Sequence, residues 1–136
     1  MAIYGIGAMY EGKYDMTQIF IDNKCACIGW EPDDAPVLYS ILRKVKIGDF
    51  IYIKSIVIAS KEIRIKAIGV IVDYNIREYK SCHGHGVGVK WLWTGDERIH
   101  ITEKMYRNNV FNNTLYEEYN HDIQVRVLDL SLKPKK

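Results

Sequence analysis

Cysteine and histidine side chains occur together at two places in the sequence, where they suggest a metal site. Cys25 and Cys27 are separated by one residue, and a third cysteine lies in the run Cys82-His83-Gly84-His85. Thiolate and imidazole are the usual ligands of zinc, and residues i and i+2 of a strand point to the same side. The spacing matches no common zinc knuckle. We therefore expect small buried cysteines beside a histidine-bearing loop, with no metal and no cofactor.

Nucleophilic and acid–base residues are present, but their spacing does not predict catalysis. A nucleophile needs a base beside it, and a carboxylate pair must face a cleft from two sides. The run Gly84-His85-Gly86-Val87-Gly88 lacks the Gly-Lys-Ser/Thr ending of a phosphate-binding loop and does not lead from a strand into a helix. We expect no enzymatic activity, and a thiol or metal hydrolase built on Cys82 is the weaker alternative. The chemical groups themselves are supplied by Ser40, Ser55, Cys82, His83, His100 and His121.

Aromatic residues with a polar group are unusually frequent, with ten tyrosines and three tryptophans against three phenylalanines. Such side chains suit a wall that meets water or a ligand. Holding a nucleobase requires aromatic faces for stacking, hydrogen-bonding groups for the base edge and cations for the phosphates. Trp91 and Trp93 are two residues apart, so we expect them to share one face of a strand. The candidate base-binding residues are Tyr10, Trp30, Lys54, Ser55, Trp91 and Trp93.

A small basic cluster is the candidate for phosphate contacts, because lysine and arginine neutralise the nucleic-acid backbone. It consists of Arg43, Lys44 and Lys46. The alternative for these three residues is an ordinary solvated helix end. The alternative for each tryptophan is a place in the core, because tryptophan is usually highly buried.

Length and composition predict one globular domain. The chain has 136 residues, 48% apolar and 26% charged, which excludes a disordered or fibrous chain and a multidomain enzyme. A formal net charge of +2 permits a nucleic-acid partner without requiring one. Three cysteines indicate a reducing compartment, and no leader or run of about 20 apolar residues is evident. We expect a cytoplasmic protein with no membrane partner, one domain over residues 1–132 and a solvated basic tail over residues 133–136.

Runs of β-branched and aromatic residues predict five strands. The third and fourth are close enough in sequence to form a hairpin. Alternation in the fourth places Ile63, Ile65 and Ala67 on one face. A polar stretch with several glycines predicts a loop over residues 74–86. The predicted strands cover residues 3–10, 25–30, 50–58, 63–72 and 87–93.

Helices are predicted between these strands. Thr17 can cap a short helix over residues 18–23. Asp34 can cap a longer one over residues 35–45, where leucine and isoleucine recur at helical spacing.

The sequence beyond residue 101 contains patterns that predict both helices and a strand. Thr102 can cap a helix that ends at Asn108, and after an asparagine-rich turn Thr114 can begin a second short helix. Alternation over residues 123–127 favours a strand, although the same residues also fit a helix face. The order of all these elements indicates an α+β domain, built on a curled mixed sheet or small open barrel with short helices between the strands.

Several segments in the first two thirds of the chain form a recognisable combination. They are Ile28-Gly29-Trp30, the pattern KxGDxIxIKS over residues 46–55 and IKAIG over residues 65–69, together with Gly7-Ala8, Asp15-Met16-Thr17 and Val87-Gly88-Val89-Lys90-Trp91. In this combination the chain resembles the N-terminal domain of McrB-like restriction proteins, a PUA-like/EVE-like module, over roughly residues 3 to 93.

The resemblance implies both a fold and a function. Members of that superfamily are pseudobarrels that bind nucleic acid, and several hold a flipped or modified base in an aromatic pocket. It implies a non-catalytic reader of DNA, or of RNA, with the base stacked near Trp30 and Trp91. It also implies a setting in restriction or phage defence, or its evasion, with any effector protein acting in trans. The alternative is a protein-interaction or small-nucleotide-binding module on the same barrel.

Overall fold

A computed structural model describes residues 1–108 and 114–133 of the chain. The strands are β1 (Ile3–Gly7), β2 (Met9–Tyr10), β3 (Tyr14–Asp15), β4 (Cys25–Ile28), β5 (Phe50–Val57), β6 (Glu62–Tyr79), β7 (Gly84–His100) and β8 (Leu115–Glu117). The helices are α1 (Thr17–Asp22), α2 (Pro36–Leu42), α3 (Glu103–Asn108) and α4 (His121–Ser131), and a 3-10 turn spans Lys80–Cys82. The predicted asparagine-rich turn and residues 134–136 of the predicted tail lie outside the described residues. None of the described helices combines the length and apolarity needed to cross a bilayer.

Six of the strands form one curled mixed sheet in the order β4-β7-β6-β5-β1-β8, and this confirms the predicted α+β class with a curled mixed sheet. β1 runs parallel to β5, and the remaining neighbours in this sheet are antiparallel. The predicted hairpin between β5 and β6 is present. β2 and β3 form a separate two-stranded hairpin beside the sheet.

The longest pairing in the sheet joins β6, of 18 residues, to β7, of 17 residues. Its register shifts at four places, and each shift bends and twists the ladder locally. The predicted loop over residues 74–86 is wrong over most of its length, because β6 continues to Tyr79 and β7 begins at Gly84. Polar residues there remain extended because backbone hydrogen bonds to β7 do not depend on side-chain polarity.

Two apolar cores flank the sheet. One contains Tyr4, Ile6 and Phe20 and is covered by α1 and α2, and the other contains Tyr52 and is covered by α3 and α4. Successive side chains of β1 and β5 point to opposite faces of the sheet, and so they enter the two cores alternately.

The alternation predicted for β6 fails after Ile65. Ile63 and Ile65 lie in the α3–α4 core, whereas Ala67 lies in the α1–α2 core. A register shift separates Ile65 from Ala67, and such irregularities change the direction in which neighbouring side chains point.

Two predictions near the end of the chain are wrong. Residues 123–127 belong to α4, not to a strand, because Ile123, Val127 and Leu130 bury one helix face in the α3–α4 core. The Asn120 side chain caps α4 by accepting a 3.1 Å hydrogen bond from the Ile123 N–H. The segment after Thr114 is strand β8, not a helix, because it pairs with the edge of β1.

The other helices follow the predictions more closely. Thr102 caps α3, as predicted, by accepting a 3.3 Å hydrogen bond from the Met105 N–H. Thr17 is the first residue of α1 and does not cap it. α2 is shorter than predicted, and Ala35 occupies the capping position that we expected for Asp34. Pro36 at the start of α2 provides the helical φ angle that such a start requires.

Gly86 marks the tightest backbone approach in the sheet and provides a test of the fold. A methyl group there would overlap the carbonyl oxygen of Ala26 and lie 2.7 Å from the Cα of Cys27. We expect Gly86→Ala to lower the free energy of unfolding by about 3 kcal/mol, because β4 must move away from β7. Urea unfolding measures this change. Gly7→Ala, where the nearest atom is 3.9 Å away, is the matched control, and an equal loss in both variants would contradict the pairing.

Candidate ligand-binding cavity

A cavity of about 740 Å³ lies where the end of β1, the β2–β3 hairpin, the start of α1 and the end of β4 meet. This volume is within the range of small-molecule sites, about 300–1,000 Å³. Its lining consists of Gly7, Met9, Tyr10, Glu11, Gly12, Tyr14, Met16, Ile19, Gly29, Trp30, Ser81, His83 and Thr114.

The β2–β3 hairpin forms one side of this cavity. Its turn contains Glu11 and Gly12, both with positive φ angles, of 53° and 66°. Asp15 anchors the hairpin, because its carboxylate accepts hydrogen bonds from the Thr17 hydroxyl at 2.6 Å and from the Lys66 ammonium at 3.1 Å. Burial alone would raise the pKa of Asp15, but these hydrogen bonds and the Lys66 charge outweigh it and hold the pKa below its usual value.

Three large apolar side chains stand exposed around the mouth of the cavity. They are Met9, Tyr14 and Trp30, with 47%, 59% and 60% of their surface exposed, and we call them the cavity rim. The Tyr39 hydroxyl donates a 2.6 Å hydrogen bond to the Trp30 carbonyl oxygen, so the backbone beneath the indole is fixed. Water-exposed aromatic residues converging on one concavity are typical of a binding surface.

Tyr10 forms the inner wall of the cavity. Its ring lies directly on Gly29, where a Cβ atom would come within 3.0 Å of the ring, and it meets Phe20 edge to face at 6.3 Å between ring centroids. The Tyr10 hydroxyl is buried and has no hydrogen-bond partner among the described residues. Tyr10 therefore lines the cavity with a tightly packed side chain, and its hydroxyl is directed into the interior.

Trp91 and Trp93 do not line the cavity. The prediction that they share a strand face is wrong, because Trp91 packs against the α1–α2 core and Trp93 against the α3–α4 core. Ile68 of β6 pairs with Trp93, and the next residue, Gly69, pairs with Trp91. β7 therefore contains one extra, unpaired residue between the two tryptophans, and this irregularity turns their side chains to opposite faces. The Trp91 indole N–H donates a 3.1 Å hydrogen bond to the Phe20 carbonyl oxygen, which ties β7 to α1.

Lys54 and Ser55 lie on β5 and also stand apart from the cavity lining. Lys54 is only 7% exposed, and its ammonium lies 5.4 Å from the centre of the Tyr116 ring. Burial lowers the pKa of Lys54 to about 8, and the Glu118 carboxylate acts in the opposite direction. Glu118 is itself buried and accepts a hydrogen bond from the Tyr52 hydroxyl. Lys54 is thus part of a buried polar network under β8.

The predicted phosphate contacts line a different groove, of about 830 Å³. Arg43, Lys44 and Lys46 border it together with two carboxylates, Asp49 and Glu117. None of the residues lining this groove lines the cavity with Trp30. The structure therefore separates the basic cluster from the aromatic site.

Sequence reasoning found Tyr10 and Trp30 but missed the other two residues of the cavity rim. Met9 and Tyr14 flank a glycine-containing turn, and the hairpin signal that could have identified them is the segment Tyr10-Glu11-Gly12-Lys13-Tyr14. The thiols of Cys25, Cys27 and Cys82 also come together, within 4.8 Å of one another. Cys25 and Cys82 are 57 positions apart in the sequence, so no local pattern signals that contact.

Comparisons with known proteins find no relationship: no protein-family model matches the chain, and no curated protein matches it.

Alanine substitutions should separate the exposed tryptophan from the half-buried one. Trp30→Ala should change the free energy of unfolding by less than about 1 kcal/mol, because most of the indole is already in water. Trp91→Ala should cost about 3 kcal/mol, because it removes core packing and the hydrogen bond to Phe20. Urea unfolding of both variants checks this. Equal losses would contradict the assignment of Trp30 to an exposed rim.

The buried ammonium of Lys54 should be visible in the pH dependence of stability. Its pKa is about 8 in the folded chain against an ordinary value of 10.5. Between these pH values the unfolded state binds more protons, so the free energy of unfolding rises with pH. Relative to Lys54→Met, the wild type should gain about 2 to 3 kcal/mol from about pH 7 to about pH 10.5.

Urea unfolding of the two proteins in parallel measures the gain, since tyrosine and cysteine titrations are common to both. A constant difference across this range would show that Lys54 keeps its ordinary pKa.

Proposed function

We propose that this chain is a non-catalytic nucleic-acid reader, with a PUA-like/EVE-like fold, that accepts an extruded or modified base in the cavity beside Trp30. The observation that carries the proposal is the cavity rim, because Met9, Tyr14 and Trp30 leave large apolar surfaces exposed around one concavity. The curled mixed sheet and the segments that resemble the McrB-like N-terminal domain support it.

Stacking provides the attraction in this proposal. A base placed between the rim and the Tyr10 ring removes apolar surface of both partners from water, and each stacked base contributes about 1 to 3 kcal/mol. Met9 adds a polarisable thioether, which packs well against aromatic rings. The tight contact of Tyr10 with Gly29 and Phe20 keeps the inner wall in place before a ligand arrives, so little ordering cost remains.

Polar groups in the lining provide discrimination between bases. Ser81 and Thr114 contribute hydroxyl groups, and Glu11 contributes a carboxylate. A few hydrogen-bonding groups in a mostly apolar cavity are what orients a small ligand. A methyl or hydroxymethyl group on the base changes both the stacking area and the hydrogen bonds available at its edge.

Phosphate contacts contribute little inside the cavity, because its described lining contains no lysine or arginine. This observation favours the base as the recognised group. It also supports the second candidate, a small-nucleotide or protein-interaction module on the same scaffold. A reader of DNA has a further role in restriction or phage defence only if an effector protein acts in trans.

Binding to oligonucleotides tests the proposal. We titrate fluorescent DNA that carries plain, methylated or hydroxymethylated bases at two salt concentrations. We expect one modified base to bind best, and Trp30→Ala to weaken that binding by about 5- to 150-fold, the loss of one stacked base. Tyr14→Ala should have a smaller effect in the same direction.

Tyr119→Ala is the matched control, because Tyr119 is as exposed as Tyr14, at 65% against 59%, but does not line the cavity. Binding that is independent of Trp30, or no binding to any oligonucleotide at low salt, would contradict the reader. Binding of free nucleosides with no preference for oligonucleotides would favour the second candidate.

A further inference from the structure

We propose that Cys25, Cys27 and Cys82 together bind one zinc ion, a metal site that the sequence spacing alone did not predict. All three thiols are buried, and their sulfur atoms lie within 4.8 Å of one another. Among the described residues, these three cysteines are the group of three or more metal-ligating side chains that have their ligand atoms close together. This proposal does not depend on the function proposed above.

The fold brings the three residues together from two distant segments. Cys25 and Cys27 project from the same side of β4, which pairs with the first part of β7. Cys82 ends the 3-10 turn that connects β6 to β7, and the chain reverses at His83, whose φ is 47°. A shared ion would therefore join the edge strand β4 to the end of the longest hairpin.

The sulfur positions suit a zinc ion. Tetrahedral zinc with bonds of about 2.3 Å to sulfur places its ligands about 3.8 Å apart. Here Cys25 Sγ lies 3.7 Å from Cys27 Sγ and 3.0 Å from Cys82 Sγ. The second distance has to open by less than about 1 Å, and all three sulfur atoms already lie within 4.8 Å of one another.

Tyr10 offers an oxygen for the fourth position of the ion. Its buried hydroxyl has no hydrogen-bond partner among the described residues, and it lies against Gly84, two residues after Cys82. An orphaned buried hydroxyl that lies against the segment following Cys82 is explained if it completes the coordination of the ion.

Zinc binding by the purified full chain tests the proposal. After removal of metal with a chelator under reducing conditions, we titrate Zn²⁺ alone and follow calorimetry, thermal unfolding and elemental analysis. We expect one zinc per chain and an unfolding temperature that rises with zinc concentration. Co²⁺ in place of Zn²⁺ should give the absorption of thiolate-to-metal charge transfer. No binding by the wild type would overturn the proposal.

Substitutions identify the ligands. Cys25→Ser and Cys82→Ser should each lower zinc affinity at least 100-fold, and Tyr10→Phe, which keeps the packed ring, should lower it about 10-fold with the one-to-one ratio retained. His83→Ala is the matched control and should bind as the wild type does. Zinc binding that survives both cysteine changes but is lost in His83→Ala would overturn the three-thiolate site.

A wild-type measurement covers the case in which a cysteine variant fails to fold. Alkylation of the three thiols at a fixed urea concentration below the unfolding midpoint should slow at least tenfold when Zn²⁺ is added, because the ion holds the thiolates and stabilises the fold. Equal rates with and without Zn²⁺ would contradict the proposal. Tight binding of Cu⁺ with no binding of Zn²⁺ would also overturn it.

Discussion

The irregular pairing of β6 with β7 is the constraint on which the rest of the molecule depends. Four register shifts in one long hairpin prevent a flat ladder, so the sheet curls and its ends approach other parts of the chain. The far end of this hairpin reaches β4 and carries the 3-10 turn to the thiols and to Tyr10. At the opposite end of the hairpin, β6 and β7 pack against α4. This hairpin thus contributes to both sites, because its turn carries Cys82 and the residue Gly84 that follows lies against the Tyr10 hydroxyl.

Tyr10 borders both the cavity and the region of the buried thiols. Tyr10 lines the cavity and its hydroxyl is buried in the interior, so one side chain contributes to both places. The rim residues lie on a short hairpin and one loop, whereas the wall is fixed by packing on Gly29 and Phe20. A rigid wall with an exposed rim suits a site that recognises flat ligands by contact area.

Sequence patterns were reliable where a local signal and the tertiary contact agreed. The β5–β6 hairpin and the cap at Thr102 needed only neighbouring residues, and both were predicted. Sequence patterns failed where contacts between distant parts of the chain determine the local structure. Residues 123–127 carry both a strand and a helix pattern, and packing against β6 and β7 selects the helix. The opposite orientations of Trp91 and Trp93 depend on one inserted residue, which no composition rule reveals. For the cavity, Tyr10 and Trp30 were identified, but the separation of the basic cluster required coordinates.

The position of β1 has a consequence for how the chain assembles. β1 lies between β5, its parallel neighbour, and β8, which is formed by residues 115–117. During synthesis the hairpins of the middle region can pair as soon as they emerge, but one edge of the first strand stays open until more than 100 further residues have been added. An apolar strand with an unpaired edge attracts other strands. We therefore expect nascent or truncated chains that lack β8 to associate with one another more readily than chains that contain it.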